Sequence, residues 1–194
     1  MSDAPSSAPS PVLPGGGSVR SIVRWGEPVM HRKQEPVTEF DEDLRALVAD
    51  MVATMYAADG VGLAACQIGV DRAVFVFDCP DDQGSRQHGV VCNPVLLLPT
   101  GRARELDDGD EGCLSLPGAF VPCARSTYAR VDGSDLDGLP VSFAGDGLLA
   151  RCLQHETDHC AGTVFGDRIN KRVRKKLFRE ADEHASEFAP TWPA

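Results

Sequence analysis

The chain has 194 residues, of which 42% are hydrophobic and 25% are charged, a composition typical of one globular domain. It contains no run of about 18 apolar residues that could cross a membrane, and its first twenty residues lack the apolar segment of a secretory signal. The net charge of −10 argues against tight binding of nucleic acid over a broad surface. Together these features predict a cytoplasmic protein with no membrane partner and no specific DNA partner.

Three regions are predicted along the chain. Residues 1–18 are rich in Pro, Ser and Gly and predict a disordered N-terminal tail. Residues 19–188 predict a single folded domain, and residues 189–194 a C-terminal tail. The seven cysteines are odd in number and no export signal precedes them, which favours free and mostly buried thiols over disulfides.

The first clear element is an amphipathic helix from about Asp41 to Ala58. Acidic residues 41–43 are favoured in the first turn of a helix by its dipole. One apolar stripe follows at helical spacing, formed by Leu44, Leu47, Val48, Met51, Val52 and Met55.

Strand signals and then helix signals follow this helix. Short apolar runs rich in β-branched residues predict strands at 73–78 and 90–98, and a hairpin at 126–143 turns at Asp137-Gly138. Further helices are predicted at 148–160 and at roughly 167–187. One helix, several strands and then two helices indicate an α+β fold.

The strongest local motif is His155-Glu156-x-x-His159 on the predicted helix 148–160. Residues four apart share one helix face, so the two imidazoles can bind one metal ion while Glu156 holds a water molecule. The alternative is a chance match in a charged helix. Asp158 either orients a ligand histidine or faces solvent.

A catalytic tetrahedral ion needs a third protein ligand. Downstream candidates are Glu180, Glu183 and His184, but they lie where opposite charges fall at helical spacing, a pattern typical of a solvated face. Upstream, Cys113 follows Gly112 and offers a thiolate, a good ligand for a borderline or soft ion. By itself Cys113 is equally well a buried hydrophobe.

Three short motifs occur in a fixed order: Gly60 to Gln67 (GVGLAACQ), Glu111 to Ser115 (EGCLS) and Gln154 to His159 (QHETDH). The first is similar to a dinucleotide fingerprint, but it follows a helix instead of a strand, which excludes that interpretation. Over roughly residues 20–180 the chain resembles the peptide deformylase family. The resemblance implies antiparallel sheets packed around a central helix that carries HExxH, with an N-terminal amphipathic helix and a C-terminal helix.

The resemblance implies a metallohydrolase that removes the N-formyl group from the initiator N-formylmethionine of nascent bacterial polypeptides and releases formate. It implies one divalent ion, with Fe²⁺ the working ion and Zn²⁺, Ni²⁺ or Co²⁺ expected in purified protein. Glu156 is expected to move the proton, while the Gln67 amide and the Leu114 backbone N–H are expected to stabilise the oxyanion. The implied metal ligands are Cys113, His155 and His159.

A pocket for the methionine side chain is also implied. The backbone of Gly60–Gly62 is expected to pair with the extended substrate, and the pocket walls to include Val61, Leu148, Cys152 and the ring of His155. Arg151 departs from the commonest family pattern near this pocket, which puts side-chain preference beyond methionine in question. Thr157 and Cys160 are further departures that remove no ligand.

The basic run Lys171–Lys176 stands out in an otherwise acidic chain. Charge patterning favours a solvated helix face, and the family resemblance favours contact with the ribosome. Two other classes of function remain open: an HExxH endopeptidase that takes its third ligand from Glu180 or Glu183, and a metal-binding or ribosome-associated protein without activity.

Overall fold

The computed structural model describes residues 13–194, so residues 1–12 of the predicted N-terminal tail lie outside the described residues. Residues 13–18 run along the first helix, where the Ser18 N–H donates to Asp50 Oδ1 at 2.7 Å. A Cβ atom on Gly17 would lie 2.1 Å from the backbone of Ala49, so only glycine allows this close approach. The tail boundary at residue 18 stays a prediction.

Helix α1 spans Glu42–Ala57, within one residue of the prediction at each end. The Asp41 side chain accepts a hydrogen bond from the Leu44 N–H at 3.0 Å and caps the helix. The predicted stripe faces the core: Leu47 is half-buried, and the other five members are buried.

The main sheet is antiparallel throughout, with strand order β1-β2-β3-β8-β9. The predicted strands and hairpin are present. The strands predicted at 73–78 and 90–98 are longer than the apolar runs that indicated them. The strands of this sheet are β1 (Gly62–Ala64), β2 (Val74–Pro80), β3 (Arg86–Leu97), β8 (Tyr128–Ser134) and β9 (Pro140–Asp146).

Two small antiparallel ribbons lie between β3 and β8 in the chain. One pairs β4 (Leu106–Asp107) with β7 (Arg125–Ser126), and the other pairs β5 (Asp110–Cys113) with β6 (Leu116–Pro122). The acidic stretch from Glu105 to Glu111 therefore contains residues of two strands, β4 and β5. Long-range backbone pairing overrides its low β propensity.

Helix α2 spans Gly147–Cys160, and 11 of its 14 residues are buried. The single helix expected at 167–187 is instead divided into α3 (Phe165–Arg168) and α4 (Lys171–Glu183). The break falls at Asn170, whose Oδ1 accepts from the N–H groups of Arg172 and Val173 at 3.0 Å each. Asn170 thus begins a new helix instead of continuing the old one.

The core has two apolar clusters, one on each face of the sheet. Alternation along β2 places Phe75 and Phe77 in the cluster with α2, and Val74 and Val76 in the cluster with α1. The sheet therefore separates the two helices, and the predicted α+β fold with a central HExxH helix is confirmed. Within residues 13–194, no helix is both long and apolar enough to cross a bilayer.

Candidate metal centre

The end of β5 and one face of α2 bring together Cys113, His155 and His159. The Cys113 Sγ lies 3.4 Å from His159 Nε2, and the two Nε2 atoms lie 3.1 Å apart. Bonds of about 2.1 Å to nitrogen and 2.3 Å to sulfur would separate tetrahedral ligand atoms by about 3.3 to 3.6 Å. The two separations therefore lie within about 0.2 Å of those that a tetrahedral ion requires, and all three donor atoms lie within 4.8 Å of one another.

The local sequence explains how these side chains meet. The two histidines are one turn apart on a helix held between β strands, and His159 is fully buried. Cys113 ends β5 and pairs with Leu116, with a register shift after Gly112 that marks the sharp return into β6. The Cys113 sulfur is thus placed by a tight ribbon packed beside α2.

The ring orientation of His155 is fixed by Glu111. Its Nδ1 lies 2.7 Å from Glu111 Oε1, which leaves Nε2 for a metal ion. Glu111 is buried and also accepts from Arg125 at 2.6 and 2.9 Å and from Arg151 at 2.9 Å. Sequence reasoning assigned no role to Arg125, because nothing in its local pattern indicates a buried partner.

Asp158 fits neither of its two predicted roles directly. It is buried, so it does not face solvent, and it binds Arg125 Nη1 at 2.6 Å and also pairs with Arg168. Since Arg125 holds Glu111, Asp158 contributes to the orientation of His155 only through two intermediate side chains.

The charges of the site favour metal binding. Burial lowers the pKa of His159 well below its usual range, so this imidazole is neutral, the form that binds a metal. Burial disfavours charge on His155, but hydrogen bonds to Cys113 and Glu111 outweigh burial and raise its pKa. Burial also opposes charge on Glu111, but hydrogen bonds from Arg125 and His155 outweigh it and hold the pKa of Glu111 well below its usual range. The His155 ring therefore favours a positive charge, and a metal ion at Nε2 would take the place of a proton there.

Glu156 lies beside the three candidate metal ligands, and one of its carboxylate oxygens makes no hydrogen bond to residues 13–194. This oxygen, Oε2, is buried. Burial raises the pKa of Glu156 to about 7. A Cβ atom on Gly62 would lie 2.5 Å from Oε1, so Gly62 provides the space that this carboxylate occupies.

Gln67 and Leu114 border the same centre. The Gln67 Oε1 accepts from the Ala64 N–H at 2.9 Å, which turns its amide nitrogen toward Cys113 Sγ at 3.6 Å. Leu114 follows Cys113 directly and lines the cleft that opens beside the donor atoms.

The cleft has a volume of about 520 Å³ and includes the predicted methionine-pocket residues. Val61 and Leu148 are 38% and 42% exposed, so both leave apolar side-chain surface open to the cleft. Arg151 also lines the cleft, but its guanidinium binds Glu111, the Cys123 carbonyl and Asp107. Sequence reasoning did not predict the three aromatic side chains in the cleft wall, which are Phe120, Phe188 and Trp192.

The rival metal ligands lie elsewhere. Glu180 pairs with Lys176 at 3.3 Å and Glu183 with Arg179 at 3.7 Å along α4. In the described part of the chain, the group that meets at one point consists of Cys113, His155 and His159. Glu180 and Glu183 therefore belong to the solvated helix face that the charge pattern predicted.

Known proteins resemble the chain over most of its length. A family model described as polypeptide deformylase matches residues 19–175. Peptide deformylase 1 of Streptomyces avermitilis is 52% identical over 173 residues, covering 89% of this chain and 80% of that protein. A peptide deformylase of Mycolicibacterium paratuberculosis is 49% identical over 170 residues, covering 82% and 85%.

Solved structures agree with these relatives. A peptide deformylase from Legionella pneumophila superposes with a TM-score of 0.77 at 36% identity, covering 88% of this chain and 97% of that chain. One from Synechococcus elongatus in complex with actinonin gives 0.73 at 35% identity, covering 90% and 92%. The chain therefore belongs to the polypeptide deformylase family, metal-dependent hydrolases that remove the N-formyl group from nascent peptides.

Proposed function

We propose that Cys113, His155 and His159 hold one divalent ion with which this chain hydrolyses the formyl amide of N-formylmethionyl peptides and releases formate. The observation that carries the proposal is the meeting of these three donor atoms beside Glu156, whose buried Oε2 has no hydrogen-bond partner within residues 13–194. When bound, the ion supplies Lewis acidity, which acidifies a water molecule and polarises the formyl carbonyl.

Glu156 is the proton carrier in this proposal. It accepts a proton from the attacking water and delivers it to the departing amine as the C–N bond breaks. A carboxyl whose pKa is near 7 can both accept and donate a proton at neutral pH, and burial raises the pKa of Glu156 to about that value. A protein that only stored metal would have no use for this group.

Gln67 and Leu114 stabilise the negative charge that develops on the formyl oxygen. The Gln67 amide nitrogen is held toward the donor atoms because its amide oxygen is bound to the Ala64 N–H. The Leu114 backbone N–H is the second donor. Loss of one such donor typically lowers the rate by about 10² to 10³.

The substrate backbone pairs with Gly60–Gly62 in extended form. The methionine side chain enters the pocket formed by Val61, Leu148, Cys152 and the His155 ring. These apolar walls favour an unbranched apolar side chain through burial of its surface.

The working ion in this proposal is Fe²⁺. One thiolate and two imidazoles also suit Zn²⁺, Ni²⁺ and Co²⁺. Anaerobic purification, metal analysis and a deformylation assay on formyl-Met-Ala-Ser test both the ion and the reaction. Metal-loaded protein that leaves this peptide formylated contradicts the proposal.

We also propose that the protein contacts the ribosome in the cytoplasm through α4. Part of the basic run is committed elsewhere: Arg174 lies over the Trp25 ring at 5.5 Å and Lys176 pairs with Glu180. Lys171, Arg172 and Lys175 are exposed and have no ion-pair partner among residues 13–194. Replacing these three by Gln is expected to abolish salt-sensitive sedimentation with ribosomes, and unchanged sedimentation excludes the contact.

A further inference from the structure

The C-terminal segment contributes an aromatic wall to the cleft. Phe188 and Trp192 both line it, with ring centroids 5.2 Å apart and ring planes at 82°. Both rings are half-buried, so one part of each packs on the protein and another part remains available to a ligand.

This wall is fastened to the domain by several contacts. The Ile22 N–H donates to the Trp192 carbonyl at 2.9 Å, and Arg24 Nη2 donates to the carbonyls of Phe188 and Ala189 at 3.2 and 3.3 Å. Trp192 also packs against the apolar cluster beside α1, as does Leu114. The rings are therefore held in place before any substrate arrives.

The direction of the substrate follows from the glycines that border the cleft. The reacting end of the substrate lies at Gly62, next to Glu156. Leu63 and Ala64, which follow Gly62, are fully buried, so the substrate peptide cannot extend past them. The peptide must therefore leave toward Gly60, where the Leu114 side chain lies 2.7 Å from the position of an added Cβ. An extended chain advances about 3.3 Å per residue, so the third substrate residue comes beside Gly60 and Leu114.

We propose that Phe188 and Trp192 bind the side chain of the third substrate residue and favour a large apolar or aromatic side chain there. The proposal rests on the proposed deformylase activity. Stacking against aromatic rings adds to the burial of apolar surface, and we expect a preference of about five- to tenfold over glycine.

Two amidated peptides, formyl-Met-Ala-Phe and formyl-Met-Ala-Gly, test the proposal through the ratio of their kcat/KM values. The metal-loaded wild type should give a ratio of about five to ten in favour of Phe. Trp192→Ala should reduce the ratio to about one, and Trp192→Phe should restore most of it. Leu139→Ala, which removes an exposed apolar side chain outside the cleft wall, should retain the wild-type ratio.

Three outcomes overturn the proposal. A wild-type ratio near one excludes an aromatic subsite, and a Trp192→Ala enzyme that loses activity equally on both peptides assigns the ring a structural role. If Trp192→Ala does not fold, Phe188→Ala takes its place, and an unchanged ratio then counts against the subsite. Wild-type protein that hydrolyses neither peptide contradicts the deformylase activity itself.

Discussion

Glu156 is the residue on which the proposed chemistry depends most directly. Glu156→Gln keeps the shape of the side chain but removes its ability to accept a proton. We expect kcat to fall by about 10² to 10⁴ with metal content unchanged. Parallel metal analysis and assay of formyl-Met-Ala-Ser check this, and a variant with near wild-type kcat would falsify the role of Glu156.

Alanine substitutions of Gly62 and Gly60 form a matched pair. Both glycines line the cleft, but only Gly62 lies next to the Glu156 carboxylate. Gly62→Ala places a methyl group 2.5 Å from Glu156 Oε1 and 2.8 Å from Cys152 Sγ, so it should displace the carboxylate and lower kcat by at least about tenfold. Gly60→Ala meets only the mobile end of Leu114 at 2.7 Å and should cost less. Equal kcat values for the two variants would contradict this account.

Arg125 is the buried cation that joins Glu111 to Asp158. Arg125→Ala leaves both carboxylates buried without their shared partner, and we expect the free energy of unfolding to fall by about 3 to 5 kcal/mol. Arg130→Ala removes an exposed pair with Asp132 and should change it by less than about 1 kcal/mol. Urea unfolding of both variants measures the difference, and similar losses would exclude a special role for the buried pair.

Two of the three proposed metal ligands follow from helical spacing alone, since His155 and His159 are four residues apart. Cys113 and Gln67 required the family resemblance, because the contacts that bring them to α2 are long-range. Arg125, Phe188 and Trp192 had no local signal at all: each owes its place to packing between segments distant in sequence.

At the scale of elements, Asp78 joins α1 to β2 and β3. Its carboxylate accepts from Tyr56 at 2.5 Å and from Arg86 at 2.6 and 3.1 Å. The hydrogen bonds from Arg86 lower the pKa of Asp78, and the bond from Tyr56 adds to this against the opposing effect of burial. The carboxylate thus favours the folded state whenever it is ionised.

The sign of the pH dependence follows from this lowered pKa. The stabilisation is complete above the unfolded pKa of about 3.9 and is lost as pH falls through the lower folded pKa. Wild type should therefore lose more stability than Asp78→Asn between about pH 5 and pH 2. Urea midpoints across this range measure it, and parallel curves for the two proteins would refute it.

Elements with a strong periodic pattern were predicted well, and those held by distant partners were not. Helix α1 has one apolar stripe and a capping Asp41, and both ends were predicted within one residue. Strand β5 lacks an apolar alternation because its inward positions are Glu111 and Cys113, which serve the site. The break before α4 depends on one capping side chain, Asn170, inside an otherwise helical pattern.

At the scale of the whole molecule, the proposed metal centre joins the β5–β6 ribbon to the central helix. Binding of an ion to the folded state alone should stabilise it in proportion to RT ln(1 + [L]/Kd). We expect a chelator to lower the Tm of the wild type, and Cys113→Ala to show a reduced shift. Cys92→Ala removes a buried thiol in the other core cluster and should keep the full chelator-induced shift in Tm. A Tm shift for Cys113→Ala identical to that of the wild type would argue against this ligand set.

The position of Trp192 in the cleft wall has a practical consequence. A purification tag fused after Ala194 would be separated from this ring by only two residues and would start close to the proposed peptide-binding cleft. Kinetic work on this enzyme is therefore better served by a handle at the opposite terminus, and crystals soaked with inhibitors need a C-terminus free of fusion residues.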